Sequence, residues 1–275
     1  MLAERGHDVV LFEAQDRVGG QVVLAGRASE RQSELLGIIG WLEQELSHLD
    51  VDVRLNSPVD SEDVIGEAPD IVIGASGGFP DPSFLTAGED LVVSTWDVLS
   101  GNAAVAGDVL IYDDHGGEHA PSVAEYLSAR GVEQIELVTP DRLVAQDLAA
   151  TTGPAYLEML YVHDVTMTPD HQLVRVDRAD GQLKATLRNV HTRQESQRAV
   201  DAVVYEHGVT PNDEPYVSLR DRSSNGGIVD IEALINGESQ PPSAAGFVLY
   251  RVGDAVASRG LAAAIYEARR LCQFL

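Results

Sequence analysis

The chain has 275 residues and a mass of 29.5 kDa, enough for one large or two modest hydrophobic cores without disulfide staples. Its 44 acidic and 19 basic residues leave a formal net charge of -25 at pH 7, and such a surface repels nucleic-acid phosphates and anionic lipids. Forty-four per cent hydrophobic residues, a mean hydropathy of -0.07 and no apolar run near the roughly 18 residues of a membrane span exclude membrane-spanning and disordered readings.

Lys184 is the only lysine, so the basic residues are otherwise arginine, a bias from which no chemistry follows. Cys272 is the single cysteine, which excludes an internal disulfide, a cysteine zinc knuckle and a cysteine-ligated iron–sulfur cluster within the chain. Redox chemistry would need a bound organic cofactor. The opening Met-Leu-Ala-Glu-Arg-Gly-His lacks the basic and apolar stretches of a secretory signal, and a cytoplasmic address is the default.

In chain order, Leu2 to Arg5 reads as the tail of a helix stopped by Gly6, followed by a short strand from Val9 to Phe12 that ends at Glu13. Leu35, Ile38, Ile39, Leu42, Leu46 and Leu49 recur at helical spacing; Val51 to Leu55 alternates as a strand, and Asp70-Ile-Val-Ile-Gly-Ala supplies another. From Asp108 the pattern restarts: a strand Val109 to Tyr112, a loop with Gly116 and Gly117, a helix from about Pro121 to Arg130, and a strand Gln134 to Val138. Strands Leu173 to Arg178, Gln182 to Arg188 and Ala199 to Tyr205, the first two joined by an Asp180-Gly181 turn, suggest an antiparallel meander. After a linker-like Asn236-Gly-Glu-Ser-Gln-Pro-Pro-Ser come a last strand, Phe247 to Val252, and a last helix, Leu261 to Leu275. The alternation predicts an α/β fold with parallel sheets, built from two successive βαβ units, and the C-terminus completes the first.

Three short motifs carry the functional signal. Glu13, Arg17, Gly19 and Gly20 spell E-x-x-x-R-x-G-G, followed by Gln21. A carboxylate at a strand end suits adenosine ribose hydroxyls, the glycines let backbone approach a cofactor, and the arginine can hold the loop or face a phosphate; an ordinary turn after a strand is the plainer alternative. Ile71-Val-Ile-Gly runs into Ala75, Ser76, Gly77 and Gly78, small residues of the kind needed where a chain passes beneath a bound nucleotide, or simply a glycine-rich turn. In Tyr250-Arg-Val-Gly-Asp-Ala, Gly253 allows close approach and Asp254 can accept a hydrogen bond from a ribityl or ribose hydroxyl, unless it serves as a helix N-cap.

In this order the motifs resemble the flavoprotein disulfide-reductase type of fold: two Rossmann-like βαβ domains, the second inserted in the first. That resemblance implies an FAD- or ADP-binding domain over residues 1-104 plus 236-275 and an inserted nucleotide-binding-like domain with its meander over 105-235. More closely, the chain resembles the C-terminal part of Old Yellow Enzyme-type flavoproteins: trimethylamine dehydrogenase, 2,4-dienoyl-CoA reductase and the N-methylproline or dimethylglycine-type demethylases. Glu206-His-Gly-Val-Thr-Pro-Asn-Asp-Glu, Arg251-Val-Gly-Asp-Ala-Val-Ala-Ser-Arg, Ala263-Ala-Ile-Tyr and Arg270-Leu-Cys carry the likeness to the demethylase branch. It implies a flavin-dependent oxidoreductase module whose partner is a barrel bearing FMN and an iron–sulfur cluster, as a separate subunit or a missing N-terminal half, with no catalytic residue in this chain. The family's first strand and G-x-G-x-x-G loop do not occur here, so the fold is expected to be N-terminally truncated. A structural or interaction subunit without cofactor, or a truncated product without activity of its own, are the alternatives.

The inserted region has its own loop, Asp113-Asp-His-Gly-Gly-Glu-His-Ala-Pro, in which Gly116 and Gly117 match a phosphate loop poorly and two carboxylates would repel a pyrophosphate. Arg142, after the next strand, could at most reach a 2′-phosphate. A vestigial role is favoured over NAD(P) binding. His115 and His119 flank the glycine pair in a loop; they are read as solvated, and no metal site is expected. Cys272 reads as a packed small hydrophobe.

Overall fold

The computed structural model describes residues 1–179, 181–241 and 246–275. Asp180 of the expected turn and Pro242 and Ser243 of the linker lie outside the described residues. The strands are β1 (Val10–Phe12), β2 (Asp52–Arg54), β3 (Ile71–Gly74), β4 (Gly78–Pro80), β5 (Val93–Ser94), β6 (Asp108–Asp113), β7 (Gln134–Val138), β8 (Thr166–Thr168), β9 (His171–Ala179), β10 (Gln182–Asn189), β11 (Glu195–Val200), β12 (Ala202–Glu206), β13 (Val209–Pro211) and β14 (Val248–Arg251). The α-helices are α1 (Gln21–Ala25), α2 (Leu36–His48), α3 (Ser61–Gly66), α4 (Thr95–Ser100), α5 (His119–Ser128), α6 (Gly153–Val162), α7 (Glu214–Arg220), α8 (Ile231–Asn236) and α9 (Leu261–Cys272). None of the described helices is long and apolar enough to cross a membrane.

Two compact units form: Met1–Val22, Gly37–Phe79 and Val209–Leu275 make the first, and Val23–Leu36 and Pro80–Gly208 make the second. These divisions differ from the expected ones at 104/105 and 235/236. β5 pairs in parallel with β12 and so draws residues 93–100 into the second unit, whereas α7 packs on β14 in the first.

In the first unit β1 pairs in parallel with β2, and β3 with β14. β14 alternates between two cores. Val248, Tyr250 and Val252 pack with Ile71, Ile73, Ala268 and Leu271 on the α9 side, while Phe247 and Leu249 pack with Val64, Ile65, Val72, Tyr216 and Leu219 from α3, β3 and α7. A capping box starts α3: the Asp60 carboxylate accepts the Glu62 and Asp63 amides, and Asp63 returns a contact to the Asp60 amide.

The second unit holds a parallel sheet in the order β5-β12-β6-β7-β8 beside an antiparallel sheet, β11-β10-β9. β6 explains this arrangement. Val109 and Ile111 face Ala120, Val123, Ala124 and Leu127 of α5, whereas Leu110 and Tyr112 face Leu173, Val176, Leu183, Ala185 and Leu187 of the meander. A strand buried on both faces reads as an unbroken apolar run, as Val109-Leu-Ile-Tyr does. Residues 23–36 are tied to this unit by Gln32, whose Nε2 donates to Ser122 Oγ at 2.8 Å and to Tyr156 OH at 2.7 Å.

One strand departs from expectation. Residues 199–205 are not a third meander strand but two pieces: β11 completes the meander, and β12 is a central strand of the parallel sheet. The break falls at Asp201, whose carboxylate accepts the Asp108 amide at 2.9 Å and whose own amide donates to Asp108 O at 2.8 Å, so the chain switches sheets there.

Because Leu110 and Ile111 are fully buried on opposite faces of β6, each truncation to alanine is expected to destabilise the protein by about 2–5 kcal/mol in urea unfolding. Leu143→Ala, 67 % exposed, should stay within about 0.5 kcal/mol. Equal effects at the three positions would contradict the two-core account of β6.

Candidate functional site

Parallel pairing places strand ends together. Gly74 stands opposite Arg251 in register, and the Val252 amide donates to Gly74 O at 2.9 Å. Ala75-Ser76-Gly77 and Val252-Gly253-Asp254 therefore leave the same end of one strand pair, which joins the second and third motifs. The first motif reaches them through Gln21: its Nε2 donates to Asp254 Oδ2 at 2.8 Å, across 233 residues of sequence. Asp254 is not a helix N-cap. It lies inside a short 3-10 turn, Gly253–Ala255, whose cap is Val252, and its Oδ1 accepts the Arg259 amide at 3.4 Å.

Gly253 is constrained on two counts. Its φ is +63°, and a Cβ there would lie 3.2 Å from Ala264 Cβ. Its amide donates to Glu267 Oε2 at 3.0 Å, and Glu267 is paired with Arg259. Around the second motif the Ser76 hydroxyl donates to Asn212 O, and the Asn212 amide donates to Gly77 O at 2.9 Å. Arg251 is held by Asp213 Oδ2 at 3.2 Å and stacks over Tyr216.

Glu13 follows β1, and its Oε1 accepts the Gln15 amide at 2.8 Å, closing the turn that leads to Gly19 and Gly20. Both glycines have positive φ, +118° and +49°. Arg17 is exposed, with no side-chain hydrogen bond or ion pair to the described residues. Gln21, Ala75–Gly77, Gly253 and Asp254 are thus joined by direct contacts or strand pairing, whereas the Glu13 and Arg17 side chains are not held against the other two motifs. Sequence reasoning passed over Asn212, Asp213 and Glu267; the one signal for the first two was their place in the Glu206-to-Glu214 segment.

In the second unit the loop after β6 has a different chemistry. Asp113 is fully buried; its Oδ1 accepts the His115 and Gly116 amides, each at 3.0 Å, and its Oδ2 is buried without a partner among the described residues. Burial pushes its carboxyl up to about 7 against the pull of those two amides. Asp141 is also raised, by burial and then by the neighbouring carboxylates of Asp147 and Asp114. A Cβ on Gly116 would lie 3.2 Å from Asp141 Oδ2 and 3.3 Å from Asp147 Oδ2. Asp114 is 2.7 Å from His207 Nδ1. Arg142 is exposed and has no side-chain partner among the described residues.

His115 and His119 are not solvated loop residues. Both are half-buried, His119 opens α5, their rings meet edge to face at 5.4 Å, and the Nδ1 of each is buried without a hydrogen-bond partner. With Glu206, at the end of β12, they offer three ligand atoms that all lie within 4.8 Å of one another. Cys272 is half-buried and its thiol is pushed up by burial, which disfavours a thiolate and suits a packed residue.

No family model matches the chain. In fold the chain is a two-unit Rossmann-type α/β protein: it aligns with a Lactococcus lactis thioredoxin reductase at a TM-score of 0.69 and 16% identity, covering 99% of this chain and 91% of that one. Histamine dehydrogenase from Rhizobium sp. 4-9 aligns at a TM-score of 0.81 and 20% identity, over 100% of this chain and 41% of that one. Sequence similarity is higher. The chain is 43% identical to an N,N-dimethylglycine/sarcosine dehydrogenase of Chromohalobacter salexigens, over 98% of this chain and 41% of that protein. It is 40% identical to a probable N-methylproline demethylase of Rhizobium meliloti, over 98% and 40%, and 34% identical to a multifunctional alkene reductase/demethylase of Caballeronia cordobensis, over 98% and 40%. The chain is thus homologous to one region of the Old Yellow Enzyme-type flavoproteins of the demethylase branch, and it spans about two fifths of the length of these relatives.

The Gln21–Asp254 contact is checked by a double-mutant cycle in urea unfolding. Gln21→Ala and Asp254→Ala are expected to couple by about 1 kcal/mol. Strict additivity would mean that the two motifs are not joined in solution.

Proposed function

We propose that the first unit is the FAD- or ADP-binding module of a flavin-dependent oxidoreductase that acts on N-methylated amines. The observation that carries this reading is the Gln21–Asp254 hydrogen bond together with the β3–β14 pairing, which gathers three dispersed motifs. The residues fit such a ligand. Small side chains at 74–77 leave backbone accessible at a strand end, Gly253 adopts a conformation that favours glycine, and Asp254 is oriented by Gln21 and the Arg259 amide. An ionised carboxylate has about four lone-pair sites, so Asp254 can still accept a ligand hydroxyl.

In this reading Asp254 accepts from a ribityl or ribose hydroxyl and Glu13 from the adenosine ribose, while Gly19, Gly20 and Ala75–Gly77 let the backbone pass close to the ligand. Arg17, exposed and with no side-chain partner among the described residues, is available to a phosphate. FAD, when bound, supplies two-electron redox chemistry; no residue here is assigned a bond-making role. A barrel carrying FMN and an iron–sulfur cluster is the proposed partner, and substrate chemistry belongs to it. Dinucleotide binding by the second unit is not part of the reading, because Asp113 already occupies the His115 and Gly116 amides.

Titration calorimetry of the purified chain with FAD and with ADP tests this. Binding of one equivalent of either, weakened about tenfold by Asp254→Ala or Glu13→Ala, is the expected result, since the loss of a hydrogen bond to a charged group amounts to roughly 1.5 kcal/mol. A colourless protein with no heat of binding for either ligand would defeat the proposal and favour a structural subunit.

A further inference from the structure

We propose that His115, His119 and Glu206 bind one divalent transition-metal ion of the zinc class at the C-terminal edge of the second unit's parallel sheet. Strand order places these residues at a point where ligands collect. From β6 the chain runs outward to β7 and β8 on one side, while β12 and β5 lie on the other. In open parallel sheets ligands bind at the carboxyl ends of strands where the winding reverses, here between β6 and β12. Glu206 ends β12 directly opposite Asp113, which ends β6, and the two histidines come from the loop and helix that follow.

The chemistry there suits a cation and not a phosphate. Asp113, Asp114, Asp141 and Glu206 place four carboxyl groups around the loop, a surface of oxygen acceptors where a pyrophosphate would need donors. Two backbone amides of the loop, which could otherwise serve an anion, are satisfied internally by Asp113. Two imidazoles and one carboxylate are a recurrent three-ligand set for zinc that keeps a fourth position open. A magnesium or calcium site would be built from oxygens alone.

Three further observations point to a ligand. Each histidine has a buried Nδ1 that no described residue satisfies, a deficit that coordination through Nδ1 would remove. Glu206 is 6 % exposed, and its carboxylate is held from behind: Oε2 accepts the Thr95 hydroxyl and Oε1 accepts the Gly208 amide at 3.1 Å. Such outer contacts orient ligating groups in metal sites. A Cβ on Gly117 would lie 3.3 Å from His115 Nδ1 and 3.5 Å from His119 Nδ1, so the two nitrogens flank one glycine and approach each other there.

The test uses the full chain, freed of metal by chelation, titrated with zinc chloride by calorimetry and with cobalt(II) chloride by visible absorption. One equivalent of zinc should bind in the presence of millimolar magnesium, and cobalt should give the intense d–d bands of a four-coordinate site. His115→Ala, His119→Ala and Glu206→Gln should each abolish the cobalt bands. Thr95→Val, which keeps the buried shape and removes the hydroxyl behind Glu206, should weaken zinc about 10–100-fold. Should an alanine variant fail to fold by circular dichroism, the wild-type cobalt spectrum and Thr95→Val decide. Absence of stoichiometric zinc binding, or zinc affinity equal in wild type and all folded variants, would overturn the site. Neither result bears on FAD or ADP binding by the first unit.

Discussion

Parallel strand pairing is the constraint from which both candidate sites follow. A parallel pair puts the carboxyl ends of its strands on one edge, however far apart they are in sequence. That is how residues 74–77 meet residues 252–254 in the first unit, and how Glu206 meets Asp113 in the second. Because strands buried on both faces are specified by little more than unbroken apolar runs, the sequence is free to vary at the strand ends. The chemistry collects there.

The two units use this edge in opposite ways. Small residues and one oriented carboxylate line the strand ends of the first, an arrangement that can take up neutral hydroxyls by hydrogen bonding. In the second, the corresponding loop carries Asp113, Asp114, His115 and His119, and Asp113 folds back to close the loop on its own amides. Asp113 Oδ2 is buried with no partner among the described residues, and burial pushes this carboxyl above the usual carboxylate range. The same scaffold position therefore carries small residues and one oriented carboxylate in one unit and a cluster of carboxyl and imidazole groups in the other.

How much was legible in the sequence depends on the range of the interaction that decides each feature. Val109-Leu-Ile-Tyr declares a doubly buried strand because every residue obeys the same local requirement. The turn after β1 was readable for a similar reason, since strand, Glu13 and the glycine pair lie within a dozen residues. The Ala199 to Tyr205 stretch was not, because its division into β11 and β12 is set at Asp201 by hydrogen bonds to Asp108, 93 residues away. Nor was the burial of His115 and His119. Their loop is polar and glycine-rich, which locally resembles solvent-exposed chain, whereas the folded unit leaves both histidines half-buried.

Glu206 shows what sequence reading would have needed to go further. It stands in a segment whose likeness to flavoproteins drew attention to the residues after it, and a carboxylate at the end of a strand carries no meaning until that strand's neighbours are known. Once β12 is placed beside β6, the Thr95 hydroxyl and the Gly208 amide explain why this carboxylate tolerates burial: its charge is met by two donors while its position still faces the histidine pair. The same argument applies to Asp254, whose role as an N-cap was equally consistent with sequence. The N-cap reading falls because Asp254 lies inside the 3-10 turn that Val252 caps, and the hydrogen bond from Gln21, 233 positions away, ties it to the first motif.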